Sequence, residues 1–381
     1  MSDEPLAEGD RPTPSLARPS QAARRRGSAG QGEAAGAHAP TADAPPHGKA
    51  QLIQELLDAA GAAGNRDVLR DILRSAVGLA GDDADRLDLK ITAAALKEMR
   101  AAFKMFMPLE GTPKVTVFGS ARTRSDDPLY DLARRLARHL ADAGWMVITG
   151  AGPGIMAAAA EGAGRQQSIG ISIRLPFEES PSDVIAGDDK VVAMKYFFTR
   201  KLMLIKESSA FVCLPGGFGT QDETFELLTL LQTGKASPAP VVLLDVPGGR
   251  YWQHWREYID AELVAAGLVS PHDHELFLIT DDVDEAVAEI QQFWRSFHSI
   301  RWVGDQLVLR LVRAPSDEQL RRLNEEFAPD LLVEGEIARS DPLPAEVSDR
   351  DNLDLPRLVM RFDPRKAGRL RALIDAVNAL P

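Results

Sequence analysis

Between Leu214 and Glu226 the sequence reads LPGGFGTQDETFE, with Gly216, Gly217 and Gly219 placed directly before a run of carboxylates. Glycines let backbone N–H groups approach an anion with no Cβ in the way. A helix start just beyond them adds unsatisfied donors and partial positive charge. An acid beside such an anion site is electrostatically costly, so its presence suggests a use. Cleavage of an N-ribosidic bond is one: it builds positive charge on the sugar, which a fixed carboxylate stabilises while orienting water. Glu223 stands one turn beyond the loop, near where a ribose would lie if the loop held its 5′-phosphate. Upstream, YFFTRK supplies Arg200 and Lys201. Arg200 is the better fixed donor to a departing base because its planar fork stays charged. Thr220 and Glu223 also have the T-x-x-E spacing of a capping box, in which the acid merely bonds back to the helix start. The residues alone leave both readings open.

Two further corners share this small-residue character. FGSAR places Gly119 and Ser120 after an apolar run, and TGAGPGIM places Gly152 and Gly154 after another. The second departs from the G-x-G-x-x-G dinucleotide spacing, with Ile155 at the third glycine position, and no G-x-x-x-x-G-K-[ST] loop is present. Three such corners on one edge would bind a phosphorylated ligand through Gly119, Ser120, Gly152, Gly154, Gly216, Gly217, Gly219 and Thr220.

The elements that must position them read as an alternation. Short apolar runs (KVTVF, WMVITG, SIGISI, AFVCLP, PVVLLD, LFLIT) alternate with helical patterns from Lys114 onward. Near-continuous apolar strands between helices imply a parallel sheet covered on both faces. In that α/β, doubly wound, Rossmann-like fold, ligands bind beyond the carboxyl ends of the strands. The expected organisation is a disordered tail over 1–48, a helical segment over 49–112, the sheet domain over 113–298, and a small α+β module over 299–381. The tail is rich in Ala, Pro, Gly, Ser and Arg, with too little apolar surface to fold. The last region reads βαββα, a ferredoxin-like pattern, and carries no acid/base constellation.

With 44% hydrophobic and 26% charged residues, the 381-residue chain reads as an ordinary globular protein. The net charge of −12 argues against generic nucleic-acid binding. A single cysteine, Cys213, excludes an internal disulfide and a cysteine-rich zinc site. No apolar run approaches the ~20 residues of a membrane span. The acidic start lacks a secretory apolar region, so the expected location is the cytoplasm. His272, Asp273 and His274 form a short polar motif that reads as a solvated turn, and no metal site is expected. Pyridoxal chemistry would need a Schiff-base lysine, and no pyridoxal motif surrounds the lysines near the site.

PGGFGTQDE, the upstream TRK, VFGSAR and GAGPGIM together resemble the Lonely Guy (LOG) family of phosphoribohydrolases, long labelled possible lysine decarboxylases. The resemblance covers roughly residues 113–298. It implies hydrolysis of a nucleoside 5′-monophosphate, of AMP or cytokinin riboside type, to free base and ribose 5-phosphate, without cofactor. It places Arg200 and Glu223 as catalytic, and Lys201, Gly217, Gly219, Thr220 and Thr229 as nucleotide-binding. It also implies a homodimer or larger homo-oligomer. A rival on a similar scaffold is a non-catalytic nucleotide or molybdenum-cofactor carrier, which would keep the glycine corners and use Arg200 and Glu223 for binding only. Phe177, Met194 and Phe197 are candidates for a base pocket, and Glu178 for an extra substrate-contacting acid.

Overall fold

The computed structural model describes residues 48–174 and 184–381. The expectations for the tail and for Phe177 and Glu178 lie outside these residues. Residues 98–381 form one compact unit, and the helices before Glu98 belong to another. In the latter, α1 (Lys49–Ala59) and α2 (Arg66–Gly81) are joined by Arg66, which pairs with Asp58, and by Arg70, which donates to Gln54. The helix α3 (Arg86–Phe106) follows.

The larger unit opens with β1 (Lys114–Phe118), α4 (Pro128–Asp142), β2 (Met146–Thr149), α5 (Ile155–Gln167), β3 (Ser168–Ile173) and β4 (Val191–Met194). It continues with α6 (Phe197–Lys206), β5 (Ala210–Cys213), α7 (Phe218–Gln232), β6 (Val241–Leu244), α8 (Tyr251–Tyr258), β7 (Leu278–Thr280) and α9 (Val283–Phe293). The seven strands lie parallel in the order β4-β3-β2-β1-β5-β6-β7. Alternate residues of each strand point to opposite faces, and both faces are packed. Val115, Val117, Val147, Val212 and Val242 pack against α4, α5 and α9. Phe118, Ile148, Phe211, Cys213 and Leu243 pack against α6, α7 and Trp252. Asp127 starts α4 by accepting from Leu129 N at 2.9 Å, with Pro128 at the first helical position. The strand β4 falls where the sequence suggested only a loop.

The last sequence region differs from the expected βαββα. It starts with a hairpin, β8 (Phe297–Val303) and β9 (Gln306–Leu311), turned through Gly304 and Asp305 with Gly304 at φ +61°. Then come α10 (Asp317–Leu331), β10 (Leu332–Arg339), α11 (Pro344–Asp349), β11 (Arg357–Phe362) and α12 (Ala367–Asn378). The strand order is β10-β11-β9-β8, all antiparallel, which is not a ferredoxin-like arrangement. Its core gathers Phe297, Leu309 and Met360 from the strands with Phe327 and Leu373 from α10 and α12.

Candidate active site

The chain runs outward from β1 to β4, then returns to place β5 on the other side of β1. The carboxyl ends of β1 and β5 therefore flank a topological switch point, where crevices form in such sheets. All three glycine corners meet there and line one cleft of about 1030 Å³.

The corners are wedged against one another. Ile155 N donates to Ser120 O at 3.0 Å. A Cβ on Gly154, at φ +66°, would lie 2.3 Å from Ser120 O. A Cβ on Gly216 would lie 2.1 Å from Thr220 Oγ1 and 3.1 Å from Ser120 N. Tyr251 Oη donates to Gly216 O at 2.6 Å and accepts from Gln221 Nε2, fixing the third corner from α8.

Gly119, Ser120, Gly152, Gly216, Gly217, Gly219 and Thr220 all line the cleft, with Arg122 and Arg174 among the other lining residues. The N–H groups of Phe218, Gly219 and Thr220 belong to the first turn of α7, which has no side-chain cap. Such groups have no intrahelical acceptor and carry partial positive charge, so they suit a phosphate.

The helix start settles the competing reading of the carboxylate. Because α7 begins at Phe218 with Gly217 as its N-cap, Thr220 already lies inside the helix. Glu223 is beyond the reach of a capping box, and its Oε2 is buried with no hydrogen-bond partner. Glu223 lines the cleft and is only 8% exposed. Burial pushes its carboxyl up to about 7, against the opposing pull of Lys201 and Arg200 and with help from Asp222 and Glu226. At 1.5 Å rise per residue, Glu223 lies ~7 Å along the axis from the first turn, a spacing that suits a sugar attached to a phosphate held there.

Arg200 lines the same cleft. Its Nε donates to Ile171 O at 3.0 Å and its Nη2 to Gly150 O at 3.3 Å, so the guanidinium is held below the second corner. A Cβ on Gly150 would meet Nη2 at 1.9 Å, so a side chain there would push the guanidinium from this position. Glu98, on α3, holds the start of α6: its Oε1 accepts from Lys195 N at 2.8 Å and its Oε2 from Thr199 Oγ1 at 2.7 Å. Thr199 immediately precedes Arg200, so a carboxylate about a hundred residues upstream, at a position no local motif marks, sets the helix that carries the guanidinium.

Four expected contacts are not brought to the cleft. Lys201 is buried among Asp222 at 2.8 Å, Glu226 at 2.6 Å and Glu223 at 3.9 Å, where it acts as counter-ion to the acids. Burial pulls its pKa down, but Asp222 and Glu226 outweigh that and raise it. Thr229 is exposed and donates to Phe225 O at 2.7 Å. Six residues after Glu223 on a 3.6-residue helix, it faces a different side. Gly154 shapes the junction of two corners without lining the cleft. Met194 is fully buried in the core, whereas Phe197 does line the cleft. Asp273 closes a capping box with Ser270, and His274 pairs with Asp260 at 2.6 Å. Among the described residues no group of three or more His, Cys, Asp or Glu is placed to hold a metal, and no helix is long and apolar enough to cross a membrane.

A family model described as possible lysine decarboxylase matches residues 154–290. The chain is 29% identical over 169 residues to cytokinin riboside 5′-monophosphate phosphoribohydrolase LOG3 of Arabidopsis thaliana, covering 44% of this chain and 74% of that protein. It is 29% identical over 166 residues to the protein of the same activity name from Mycobacterium tuberculosis, covering 42% and 83%. The parallel-sheet domain is therefore similar to proteins of the LOG family. Among solved structures, the molybdenum cofactor carrier protein of Chlamydomonas reinhardtii is similar at 24% identity and a TM-score of 0.33, over 48% of this chain and 97% of that one. The family-model match spans Arg200 and Glu223 and stops short of the antiparallel module.

Proposed function

We propose that this chain hydrolyses the N-glycosidic bond of a nucleoside 5′-monophosphate, of the AMP or cytokinin riboside monophosphate class, to free base and ribose 5-phosphate. The observation that carries the reading is Glu223: a buried carboxyl whose Oε2 has no hydrogen bond and only Lys201 at 3.9 Å, in a cleft that glycine corners and arginines share with apolar side chains such as Phe118, Met156 and Phe197. A buried polar atom without a partner costs roughly 1–3 kcal/mol, so a ligand group that satisfies it is favoured.

In this reading the phosphate rests on the first turn of α7 and on the Gly119–Ser120 corner. The C1′–N bond breaks with its electron pair leaving on the base, and Arg200 offsets the negative charge that develops there. Ionised Glu223 faces the sugar, stabilises its positive charge, and takes a proton from the water whose oxygen bonds to C1′. Nucleosides without phosphate should react poorly, because the amide cradle would have nothing to hold. The same reading expects a homodimer or larger assembly. Phe218, at 96% exposure beside the cleft, with exposed Phe197, Phe198 and Phe225, supports burial of this rim by a second copy.

The test is incubation with AMP and chromatography for adenine and ribose 5-phosphate. Stoichiometric release of both, with adenosine inert, supports the hydrolase. Tight binding of AMP and other purine and pyrimidine monophosphates with no base release would favour the carrier role instead.

A further inference from the structure

Gly216 and Gly217 are adjacent glycines, so no side chain on either flank restrains the peptide between them. A Cβ on Gly216 would crowd Thr220, at 2.1 Å from its Oγ1 and 2.7 Å from its Cβ, whereas nothing lies within 4 Å of the Cβ position of Gly217. A peptide flanked in this way can turn over at little cost. Its two orientations offer an anion opposite things: an N–H in one, a carbonyl oxygen in the other.

One side chain decides between them. Tyr251, the first residue of α8, donates its hydroxyl hydrogen to Gly216 O at 2.6 Å. A carbonyl oxygen only accepts and a phenol has one hydrogen, so that hydrogen is committed to Gly216, and Gln221 Nε2 donates to the phenol oxygen at 2.5 Å. Gly216 and Gly217 line the cleft but Tyr251 does not, so Gly216 O is turned away from the cleft. In a planar trans peptide the C=O and N–H point in opposite directions, and no peptide bond among the described residues is cis. The Gly217 N–H therefore points to the cleft side, and among the described residues it has no acceptor. The next carbonyl, Gly217 O, accepts from Gln221 N at 3.1 Å, which turns the Phe218 N–H outward from the helix start as well.

The tyrosine is itself placed by the end of β6. Asp245 is 4% exposed, and it accepts from Tyr251 N at 2.9 Å and from Val246 N at 2.8 Å. Trp252, fully buried, donates to Leu244 O at 3.2 Å and anchors the same turn.

We propose that Tyr251 is a positioning residue for phosphate recognition. It holds the Gly216–Gly217 peptide so that the Gly217 N–H joins those of Phe218, Gly219 and Thr220 as a fourth donor. The inference rests on the reading that a ligand phosphate lies at the first turn of α7, and it applies equally to a hydrolase and to a carrier.

The experiment is titration calorimetry of the full chain with AMP and with inorganic phosphate, in wild type and in Tyr251→Phe, which keeps the ring and removes the hydroxyl. Both affinities should fall in parallel by about three- to tenfold, the effect of one net hydrogen bond, with kcat for AMP within twofold. A merely structural role would move the urea midpoint and leave the phosphate affinity of the folded variant alone. In protein with isotopically labelled glycine, the Gly217 amide resonance, identified by its loss in Gly217→Ala, should shift on addition of phosphate. It should shift less than half as far in Tyr251→Phe, and the wild-type response alone tests the proposal if that variant does not fold. Unchanged affinities in folded Tyr251→Phe, a fall in kcat with affinity retained, or a wild-type Gly217 amide that ignores phosphate would overturn it. A wild-type chain that binds neither AMP nor phosphate would overturn this proposal and the phosphate reading together. AMP bound without base release, with the same loss in Tyr251→Phe, would remove the hydrolase and leave the positioning role standing.

Discussion

Two buried glutamates in this molecule are treated in opposite ways. Glu346, on α11, is 0% exposed and fully engaged. Its Oε1 accepts from Arg310 Nε at 2.9 Å and Nη2 at 2.7 Å, with Arg357 Nη1 at 2.8 Å, and its Oε2 accepts from Leu343 N at 3.0 Å. Burial alone would raise its pKa, but the Leu343 N–H and the two arginines outweigh that and hold it below the usual carboxylate range. Glu223 has one buried oxygen with no hydrogen bond, Lys201 standing 3.9 Å away, and its pKa moves the other way. An acid that serves the scaffold has its lone pairs met by the scaffold. An acid left unmet at a cleft is available to something that enters it.

The largest effect expected from this contrast is on turnover. Glu223→Gln should lower kcat for AMP hydrolysis by about a thousandfold, roughly 4 kcal/mol of barrier, with AMP affinity within a few-fold by titration calorimetry. It should not destabilise the fold. A carboxyl whose pKa rises on folding binds its proton more tightly in the native state, so native stability declines as pH climbs from about 4.5 to about 7. Removing it should therefore stabilise the chain above pH 7, by the order of 1–3 kcal/mol, seen as a higher midpoint in urea at pH 8 than at pH 5 relative to wild type. A loss of stability with turnover intact would return Glu223 to a structural role.

Glu346→Gln should do the reverse. Breaking one partner of a buried ion network costs about 3–5 kcal/mol, visible as a lowered denaturation midpoint. Specific activity of the folded fraction should stay within twofold, since α11 contributes nothing to the cleft. A fall in kcat comparable to that of Glu223→Gln would erase the distinction.

The smallest effect belongs to Glu98. Glu98→Gln retains an acceptor for one of its two donors, so it should lower kcat about three- to tenfold, with a small change in KM. Glu98→Ala should lower kcat further, because the start of α6 then loses both contacts. Equal and near-wild-type rates in the two variants would show that Arg200 is set by Ile171 and Gly150 alone.

The same contrast explains what was legible in the sequence. Strands covered on both faces announce themselves as apolar runs, and the glycine corners follow them directly, so the sheet and three walls of the cleft could be read locally. The hairpin β8–β9 was hidden because FHSIRWV begins only four residues after α9 ends, although Gly-Asp between Val303 and Gln306 is a hairpin signal. The alternative capping box fails because the N-cap is Gly217, three residues before Thr220, a margin that pattern alone does not resolve. Lys201 and Thr229 were expected at the site by resemblance, yet tertiary neighbours take the first and helix phase the second. Glu98 left no local trace because its role exists only across a tertiary contact.

The most direct test of Glu223 is the pH dependence of kcat/KM for AMP, which reports ionisations of the free enzyme. The wild type should lose activity up to tenfold per unit as pH falls below about 7, the value to which burial lifts this carboxyl, and level off above it. Glu223→Gln should retain only a residual rate without that acid limb. A wild-type profile flat from pH 5.5 to 8, or an identical limb in the variant, would contradict the assignment.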